Sequence, residues 1–291
     1  MTIKPRRSML FMPASNARAL EKGRTLPADG LIFDLEDSVA QDQKEAARRA
    51  LVETLSSRAY GSRSLIVRVN GLDTPWGAED VAALANCGAD ALLFPKVACA
   101  QDVLDATLAM DDADSPLNTR LWVMMETARG VLNAAEIADS AKRSRLSAFV
   151  IGANDLVRET RIDPGADRAN LTPWLLQCVL AARAHGLDAF DSVYNHFTDA
   201  AGFAAECAHG RALGFDGKTL IHPTQIEACN AAFGPSAEEI AWARAVIAAF
   251  KAPESEGKGA IALQGAMIER LHLEGAMRIM AIADAPGHGA T

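Results

Sequence analysis

The chain has 291 residues, 49% of them hydrophobic, which is enough to bury a large core in one or two domains. It carries 29 basic and 37 acidic residues, for a formal net charge of −8. This excess of acid argues against nucleic acid or an anionic membrane as the main partner, although a local arginine can still bind an anionic small molecule.

The cysteines and the amino-terminal segment indicate the cellular setting. The five cysteines form no CxxC pair and lie in apolar or alanine-rich segments. We therefore predict reduced thiols in a cytoplasmic protein. The first residues, MTIKPRRSMLFMPAS, contain only a short apolar run, so we expect neither a signal peptide nor a membrane span.

Short apolar runs alternate with longer segments of helical pattern through most of the chain. The eight runs are 8–12, 30–37, 64–70, 91–97, 121–127, 146–155, 187–193 and 217–223. This alternation predicts parallel strands joined by right-handed crossovers. Eight such units predict an α/β protein with a TIM (β/α)8 barrel over residues 1–234. An open doubly wound sheet is the alternative, but no GxGxxG fingerprint follows an early strand.

The pattern changes after the eighth run. Residues 236–250 predict a helix that begins with a capping box of Ser236 and Glu239. Residues 251–265 predict a linker, and residues from 266 to 283 predict a final helix. We expect residues 235–291 to form a C-terminal helical extension. Its apolar positions need a surface to bury, so we predict that it packs on a neighbouring subunit of a homotrimer or hexamer.

Polar residues stand where most of the predicted strands end. In a TIM barrel the active site lies at the carboxyl ends of the strands. Residues of this kind are Glu36, Asp37, Arg68, Asn70, Lys96, Glu126, Asn154, Asp155, Asp191, Lys218 and His222. One end of the barrel is therefore predicted to gather several acids around few bases.

Arg68 is the most informative of these residues, because it lies between Val67 and Val69 in an apolar strand. A charge in such a place is unfavourable unless it is paired or takes part in a ligand site. An internal ion pair, for example with Asp34, is one explanation. We favour a ligand site, since several other acids are predicted at the same end.

The acids also limit the kind of metal. HxH, HExxH and CxxC patterns are absent, which argues against zinc. A small number of carboxylates suits Mg²⁺, which takes one or two from the protein and keeps waters. We therefore predict a Mg²⁺ cofactor close to the DLED segment at 34–37. No lysine, Lys96 included, stands in a context that identifies a Schiff base.

Several segments in this order resemble one family. They are RRSMLFMPAS, DLEDSV, VRVN, PKV, ETARG, GANDL and GFDGKTLIHPTQI, and with the tail they span nearly the whole chain. The chain resembles the citrate lyase beta-subunit-like proteins, relatives of malyl-CoA and citramalyl-CoA lyases. The resemblance implies a Mg²⁺-dependent lyase on a TIM barrel. Such an enzyme cleaves or forms the carbon–carbon bond between an acyl-CoA and a 2-oxo acid.

The resemblance also implies roles for single residues. Glu126 of ETARG and Asp155 of GANDL would bind the metal, and Arg68 of VRVN would bind the carboxylate of the oxo acid. Arg68, Glu126 and Glu269 are the expected catalytic residues. The expected substrate-binding residues are Arg68, Glu126, Glu36, Asp37, Lys218 and His222, with Arg6 or Arg7 as a further candidate for the CoA phosphates.

The tail departs from the family pattern. Related lyases carry an aspartate in a GKMID-like segment, which reaches the neighbouring subunit's site and serves in proton transfer. Here the segment reads Gly-Ala-Met-Ile-Glu and ends at Glu269. Glutamate can carry a proton but reaches one methylene further, and a small misplacement can slow catalysis greatly. Glu269 is thus either an acid/base or an ordinary solvated residue.

Two other functions stay open at this point. One is a metal-dependent aldolase that acts on free 2-oxo acids. The other is a non-catalytic homologue that binds acyl-CoA or a protein partner, for which the altered tail is the best support. The sequence does not name the acyl group, the oxo acid or the physiological direction.

Overall fold

The computed structural model describes residues 4–252, 255 and 257–284. The chain divides into two compact units. The first runs from Arg6 to Ala232, and the second takes in the described residues from Phe233 onward together with Lys4 and Pro5.

The first unit is built on a closed barrel of eight parallel strands. They are β1 Ser8–Pro13, β2 Gly30–Asp34, β3 Ser64–Arg68, β4 Ala91–Phe94, β5 Arg120–Met125, β6 Leu146–Ile151, β7 Asp188–Asp191 and β8 Gly217–Leu220. Each strand pairs with the next in the sequence, and β1 closes the ring by pairing with β8. The predicted TIM barrel is confirmed.

Helices follow the strands in alternation. They are α1 Ala17–Gly23, α2 Lys44–Ser56, α3 Gly77–Leu84, α4 Ala100–Asp112, α5 Ala128–Leu132, α6 Ala134–Asp139, α7 Ala153–Thr160, α8 Thr172–Ala184, α9 Ala200–Ala212 and α10 Ile226–Phe233. Among the described residues, no helix has the length and apolar character needed to cross a membrane.

The barrel interior is filled with side chains. Inward-facing residues form one buried cluster: Met9, Ile32, Ile66, Ala91, Leu93, Trp122, Met124, Ala148, Val150 and Phe190. The rings of Trp122 and Phe190 stack at 4.8 Å. A packed barrel of this kind leaves room for chemistry only above the core, at the carboxyl ends of the strands, which we call the mouth.

The second unit pairs two helices with a small sheet. Its elements are α11 Ala237–Lys251, β9 Ala260–Leu263, β10 Ala266–Glu269 and α12 Arg270–Ala283, with β9 and β10 antiparallel. The predicted capping box exists, because the Ser236 backbone N–H donates to Glu239 Oε2 at 2.7 Å and the Glu239 N–H donates to Ser236 Oγ at 3.2 Å.

The prediction of a helix from residue 266 was wrong for its first turn. Gln264 and Gly265 both have left-handed backbone angles, φ 52° and 82°. Two such residues in succession make a tight hairpin turn, so residues 266–269 pair as a strand and the helix begins at Arg270. Met267, Leu271 and Met277 are exposed in this unit, and its packing on a neighbouring subunit stays a prediction.

The loop after β2 is held from several sides. The Leu35 N–H donates to the Arg68 carbonyl at 2.9 Å. The buried Lys44 ammonium donates to the carbonyls of Leu35 and Glu36, at 2.9 Å each. Asn70 Nδ2 also donates to the Leu35 carbonyl, at 3.1 Å. These bonds fix the backbone that carries the predicted acids of the mouth.

Asp80 on α3 anchors this arrangement. It is fully buried and accepts from Arg48 Nε at 2.7 Å and from the N–H and Nδ2 of Asn70 at 3.0 and 2.6 Å. We expect Asp80→Ala to lower the free energy of unfolding by about 3–5 kcal/mol, because it leaves buried donors and the Arg48 charge without their main acceptor. Urea unfolding measures this loss.

Glu79 supplies the matched control, since it also pairs with Arg48 but its side chain is largely exposed. Glu79→Ala should cost less than about 1 kcal/mol. Equal losses for the two variants would contradict the anchoring role of Asp80.

Candidate active site

Arg68 is held in the mouth by a bidentate ion pair. Its Nε and Nη2 donate to the two carboxylate oxygens of Asp34 at 2.7 and 2.8 Å. Its Nη1 lies 3.0 Å from Glu36 Oε2 and 3.6 Å from Asp37 Oδ2. Burial alone would lower the pKa of Arg68, but the carboxylates around it raise that pKa, so the guanidinium stays charged. The internal ion pair considered from the sequence therefore exists, and it faces a cavity.

Asp34 also accepts hydrogen bonds from the backbone of the loop that follows β2. Its Oδ1 accepts from the Glu36 N–H at 2.9 Å, and its Oδ2 accepts from the Ser38 N–H at 3.1 Å. Burial would raise the pKa of Asp34, but Arg68 and these hydrogen bonds hold it below its usual value. One carboxylate thus turns the DLED loop and orients the guanidinium.

Glu36 lies between two cations. Its Oε1 accepts from the Lys96 ammonium at 2.5 Å, and its Oε2 faces Arg68. Burial raises the pKa of Glu36, although both cations act in the opposite direction. Burial lowers the pKa of Lys96, but the hydrogen bond and charge of Glu36 outweigh it and raise that pKa.

Glu126, which follows β5, is almost fully buried. Its Oε1 accepts from the backbone N–H of Lys96 at 2.8 Å. Burial raises the pKa of Glu126 to about 7, with the Asp155 charge adding to the effect and Arg68 opposing it. Gly152 packs directly against this carboxylate, and a Cβ there would lie 2.5 Å from both Cβ and Oε2 of Glu126.

Asp155 is placed by the first turn of α7, just after β6. Its Oδ1 accepts from Nη2 of the exposed Arg158, and about one fifth of its side chain is exposed. Asp155 lines the same cavity as Glu126 and Arg68. The structure therefore brings the two predicted metal ligands and the predicted carboxylate-binding arginine together.

The cavity has a volume of about 360 Å³ and a mixed lining. Its charged residues are Asp34, Asp37, Arg68, Glu126 and Asp155. Its apolar residues include Phe11, Met124, Ile151, Val193 and Ile221, and the Phe11 ring lies against the Arg68 guanidinium at 5.1 Å. Such a cavity suits a small organic acid with an apolar or acyl part.

Glu36, Lys218 and His222, all predicted to bind substrate, are not among the residues that line this cavity. Lys218 is fully buried on β8, where its ammonium donates to the Ser192 carbonyl at 2.5 Å and to Glu206 Oε1 at 2.6 Å. Strand alternation explains the difference, because the next residue, Thr219, is the one that faces the cavity. In the structure Lys218 is a member of a buried ion network.

His222 caps the short 3₁₀ helix Pro223–Gln225. Its Nδ1 lies 2.8 Å from Thr224 Oγ1, and its ring stacks on Phe197 at 4.7 Å. Through these contacts His222 stabilises its own loop.

Arg6 and Arg7 lie at the opposite end of the barrel from the mouth. Arg7 pairs with Asp29, just before β2, at 2.7 Å, and Arg6 pairs with Asp188, the first residue of β7, at 2.7 Å. Both partners stand at amino-terminal strand ends. The suggestion that either arginine holds a phosphate at the mouth does not agree with this position.

Glu269 belongs to the second unit, where it ends β10 and caps α12. Its backbone N–H donates to His272 Nδ1 at 3.0 Å, and its side chain accepts from the backbone of the helix's first turn. Its role as an acid/base stays a prediction.

Sequence reasoning missed two features of the site. The Lys96 backbone N–H binds Glu126, although Lys96 was considered only for its amine. Gly152 makes room for the same carboxylate. A glycine directly after an apolar strand was a visible signal, whereas a backbone contact between two loops leaves no mark in the sequence.

Comparisons with known proteins agree with this arrangement. A model of the HpcH/HpaI aldolase/citrate lyase family matches residues 7–223. The chain is 50% identical over 281 residues to a (3S)-malyl-CoA thioesterase of Cereibacter sphaeroides, covering 97% of this chain and 95% of the relative. It is 38% identical to the citrate lyase subunit beta of Escherichia coli, with 98% and 95% covered.

A solved structure gives the same result. The CitE protein of Mycobacterium tuberculosis, in complex with magnesium, acetoacetate and coenzyme A, superposes with a TM-score of 0.73 at 34% identity. The match covers 95% of this chain and 97% of the other. With the barrel, the placement of its acids and these matches in agreement, the chain belongs to the HpcH/HpaI aldolase/citrate lyase family.

Proposed function

We propose that this protein is a Mg²⁺-dependent carbon–carbon lyase of the cytoplasm. Its substrate is a 3-hydroxyacyl-CoA thioester such as malyl-, citramalyl- or citryl-CoA, which it splits into, or forms from, an acyl-CoA and a 2-oxo acid. The observation that carries this proposal is the buried Glu126 carboxylate, which shares one cavity with Asp155 and the paired guanidinium of Arg68.

The donor set fits a magnesium ion. Glu126 uses Oε1 for the Lys96 N–H, and the missing Cβ of Gly152 leaves space beside Oε2. Among the described residues at the mouth, the acids Asp34, Glu36, Asp37, Glu126 and Asp155 outnumber the bases that pair with them, Arg68, Lys96 and Arg158. No cluster of three or more His, Cys, Asp or Glu suited to a metal occurs in the described part of the chain. Mg²⁺ needs only one or two protein carboxylates, so Glu126 and Asp155 would hold it.

Mg²⁺ at this place supplies a Lewis acid for the oxygen that becomes the carbonyl of the 2-oxo acid. Arg68 binds the substrate carboxylate with the N–H groups of Nη1 and Nη2 that remain beside its contacts to Asp34 and Glu36. Ile151 and Val193, which also line the cavity, take the acyl portion and exclude water.

Cleavage of the carbon–carbon bond also needs two proton transfers. The hydroxyl proton must leave as the carbonyl forms, and a proton must be delivered to the enolate carbon of the acyl-CoA. We assign proton transfer to Glu269, brought to the mouth by a neighbouring subunit of a homotrimer or hexamer.

Thioester hydrolysis is the second candidate. The relatives at 50–51% identity are named (3S)-malyl-CoA thioesterase, and segment 265–269 of this chain ends in Glu269 where related lyases have aspartate. Water would then attack the thioester carbonyl of the same bound substrate and release the hydroxy acid and CoA. Substrate binding by Arg68 and the metal would be unchanged.

Product analysis separates these functions. We expect malyl-CoA and Mg²⁺ to yield acetyl-CoA and glyoxylate if the lyase proposal is correct, and malate with free CoA thiol if hydrolysis is. Chromatography of the CoA species, run beside citramalyl- and citryl-CoA, distinguishes the two. Turnover of free oxo acids alone would point to an aldolase, and binding without any product would identify a non-catalytic homologue.

In the same assay, Arg68→Lys should lower kcat/KM about a hundred- to a thousandfold, although it keeps the charge, because lysine cannot bind Asp34 and a carboxylate in a planar fork. Arg49→Lys, on the exposed face of α2, is the matched control and should change nothing. Near-normal turnover by Arg68→Lys would contradict its binding role.

Gly152→Ala tests the space beside Glu126. The new Cβ would lie 2.5 Å from the carboxylate, so we expect Mg²⁺ binding to be lost and stability to fall by about 1–3 kcal/mol. Isothermal titration calorimetry and urea unfolding measure the two effects. Gly275→Ala on α12 meets no atom within 4 Å and should be neutral or stabilising by about 0.5–1 kcal/mol. Undiminished Mg²⁺ affinity in Gly152→Ala would refute the packing argument.

The affinity for Mg²⁺ should depend on pH. Without metal, the pKa of Glu126 is raised from 4.5 to about 7, so its contribution to stability is complete below pH 4.5 and is lost as the pH rises through 7. Mg²⁺ binds the ionised form, so its affinity should fall by up to about tenfold per unit below pH 7 and level off above it. Calorimetry across this range measures the slope, and a flat profile would be inconsistent with Glu126 as a ligand.

A further inference from the structure

Lys96 touches both sides of the candidate site. Its backbone N–H donates to Glu126 Oε1 at 2.8 Å. Its ammonium donates to Glu36 Oε1 at 2.5 Å. A single residue of the loop after β4 thus contacts an expected metal ligand through its backbone and an acid of the DLED loop through its side chain.

The backbone of Lys96 is held in an unusual conformation. Its φ is 54°, in the left-handed region that residues with a side chain seldom adopt. Such strain persists only where the surroundings impose it. Here the Val97 carbonyl packs so closely on Gly130 that a Cβ at that position would lie 2.4 Å away, and Asn133 Nδ2 donates to the Ala98 carbonyl at 2.9 Å. Helix α5 and Asn133, the residue after it, therefore hold the loop, whose Lys96 N–H donates to Glu126.

The ammonium of Lys96 and the guanidinium of Arg68 share one carboxylate. Glu36 presents Oε1 to Lys96 and Oε2 to Arg68 Nη1, which lies 3.0 Å away. The Glu36 side chain is 9% exposed, so it has little access to water as another partner. Without the ammonium, Arg68 would be the main ion-pair partner of Glu36. The guanidinium would then attract the carboxylate of a ligand less strongly.

We propose that Lys96 is a positioning residue of this site. Its backbone N–H holds Glu126 in place for the ion, and its ammonium offsets part of the Glu36 charge, so that the guanidinium keeps more of its positive charge for the carboxylate of the 2-oxo acid. This inference rests on the proposed function and adds a residue that determines affinity for the anionic half of the substrate.

Removing the Lys96 ammonium should change the affinities for Mg²⁺ and for the 2-oxo acid in opposite directions. Removing a positive charge from the mouth makes it more negative, which favours a cation and disfavours an anion. The backbone N–H to Glu126 is kept in any variant other than proline. A purely structural role for Lys96 would instead weaken the binding of both ligands together.

The test uses calorimetry with Mg²⁺ alone and then with pyruvate at saturating Mg²⁺. We expect Lys96→Met to bind Mg²⁺ at least as tightly as the wild-type protein and to bind pyruvate about tenfold or more weakly. Lys96→Arg, which keeps the charge, should stay within about threefold of wild type for both ligands. Pyruvate affinity unchanged in Lys96→Met, or a parallel loss of both ligands, would overturn the proposal.

A second pair of variants tests the backbone. Lys96→Gly and Lys96→Ala both lack the ammonium and keep the N–H, but only glycine adopts a positive φ without strain. Lys96→Gly should therefore have the higher midpoint of thermal unfolding, and equal midpoints would overturn the claim of imposed strain.

The wild-type protein separates the two proposals. If the wild-type protein bound neither Mg²⁺ nor pyruvate, the proposed function would fail. If the wild-type protein bound both and Lys96→Met bound pyruvate equally well, only the role of Lys96 would fail.

Discussion

The ion pair between Asp34 and Arg68 is the interaction on which the mouth of this barrel depends. It joins the ends of two neighbouring strands, β2 and β3, which are in register at these two residues. A buried pair is stable only where both partners have further hydrogen bonds. Asp34 meets this condition with the N–H groups of Glu36 and Ser38, so the pair also shapes the loop that carries the remaining acids.

The rest of the site is a problem of charge balance. Arg68 and Lys96 satisfy Asp34 and Glu36, while Glu126 and Asp155 face the cavity with fewer positive partners. Burial reduces this excess of negative charge, because it raises the pKa of Glu126 to about 7. A divalent cation would neutralise the remaining negative charge. The apolar side chains that share the cavity would suit the acyl part of the proposed substrate, whichever of the two bonds of a malyl-CoA-type thioester is broken.

Much of this was predictable from local patterns, and the exceptions have physical reasons. Eight apolar runs and the charge of Arg68 inside one of them were enough to predict the barrel and the place of its mouth. Lys218 lies outside the cavity because strand alternation turns it away, and residues 266–269 form a strand instead of the predicted helix because a left-handed turn precedes them. The contact of the Lys96 N–H with Glu126 was beyond sequence reasoning, since it depends on a left-handed backbone held by packing against α5 and Asn133.

A crystal structure with Mn²⁺, in place of Mg²⁺, and pyruvate is the most direct test of this account. The account predicts one ion on Glu126 and Asp155 and the pyruvate carboxylate on Arg68, with the bidentate contact to Asp34 still in place. An ion bound elsewhere, or an Arg68 that must leave Asp34 to reach the ligand, would contradict it.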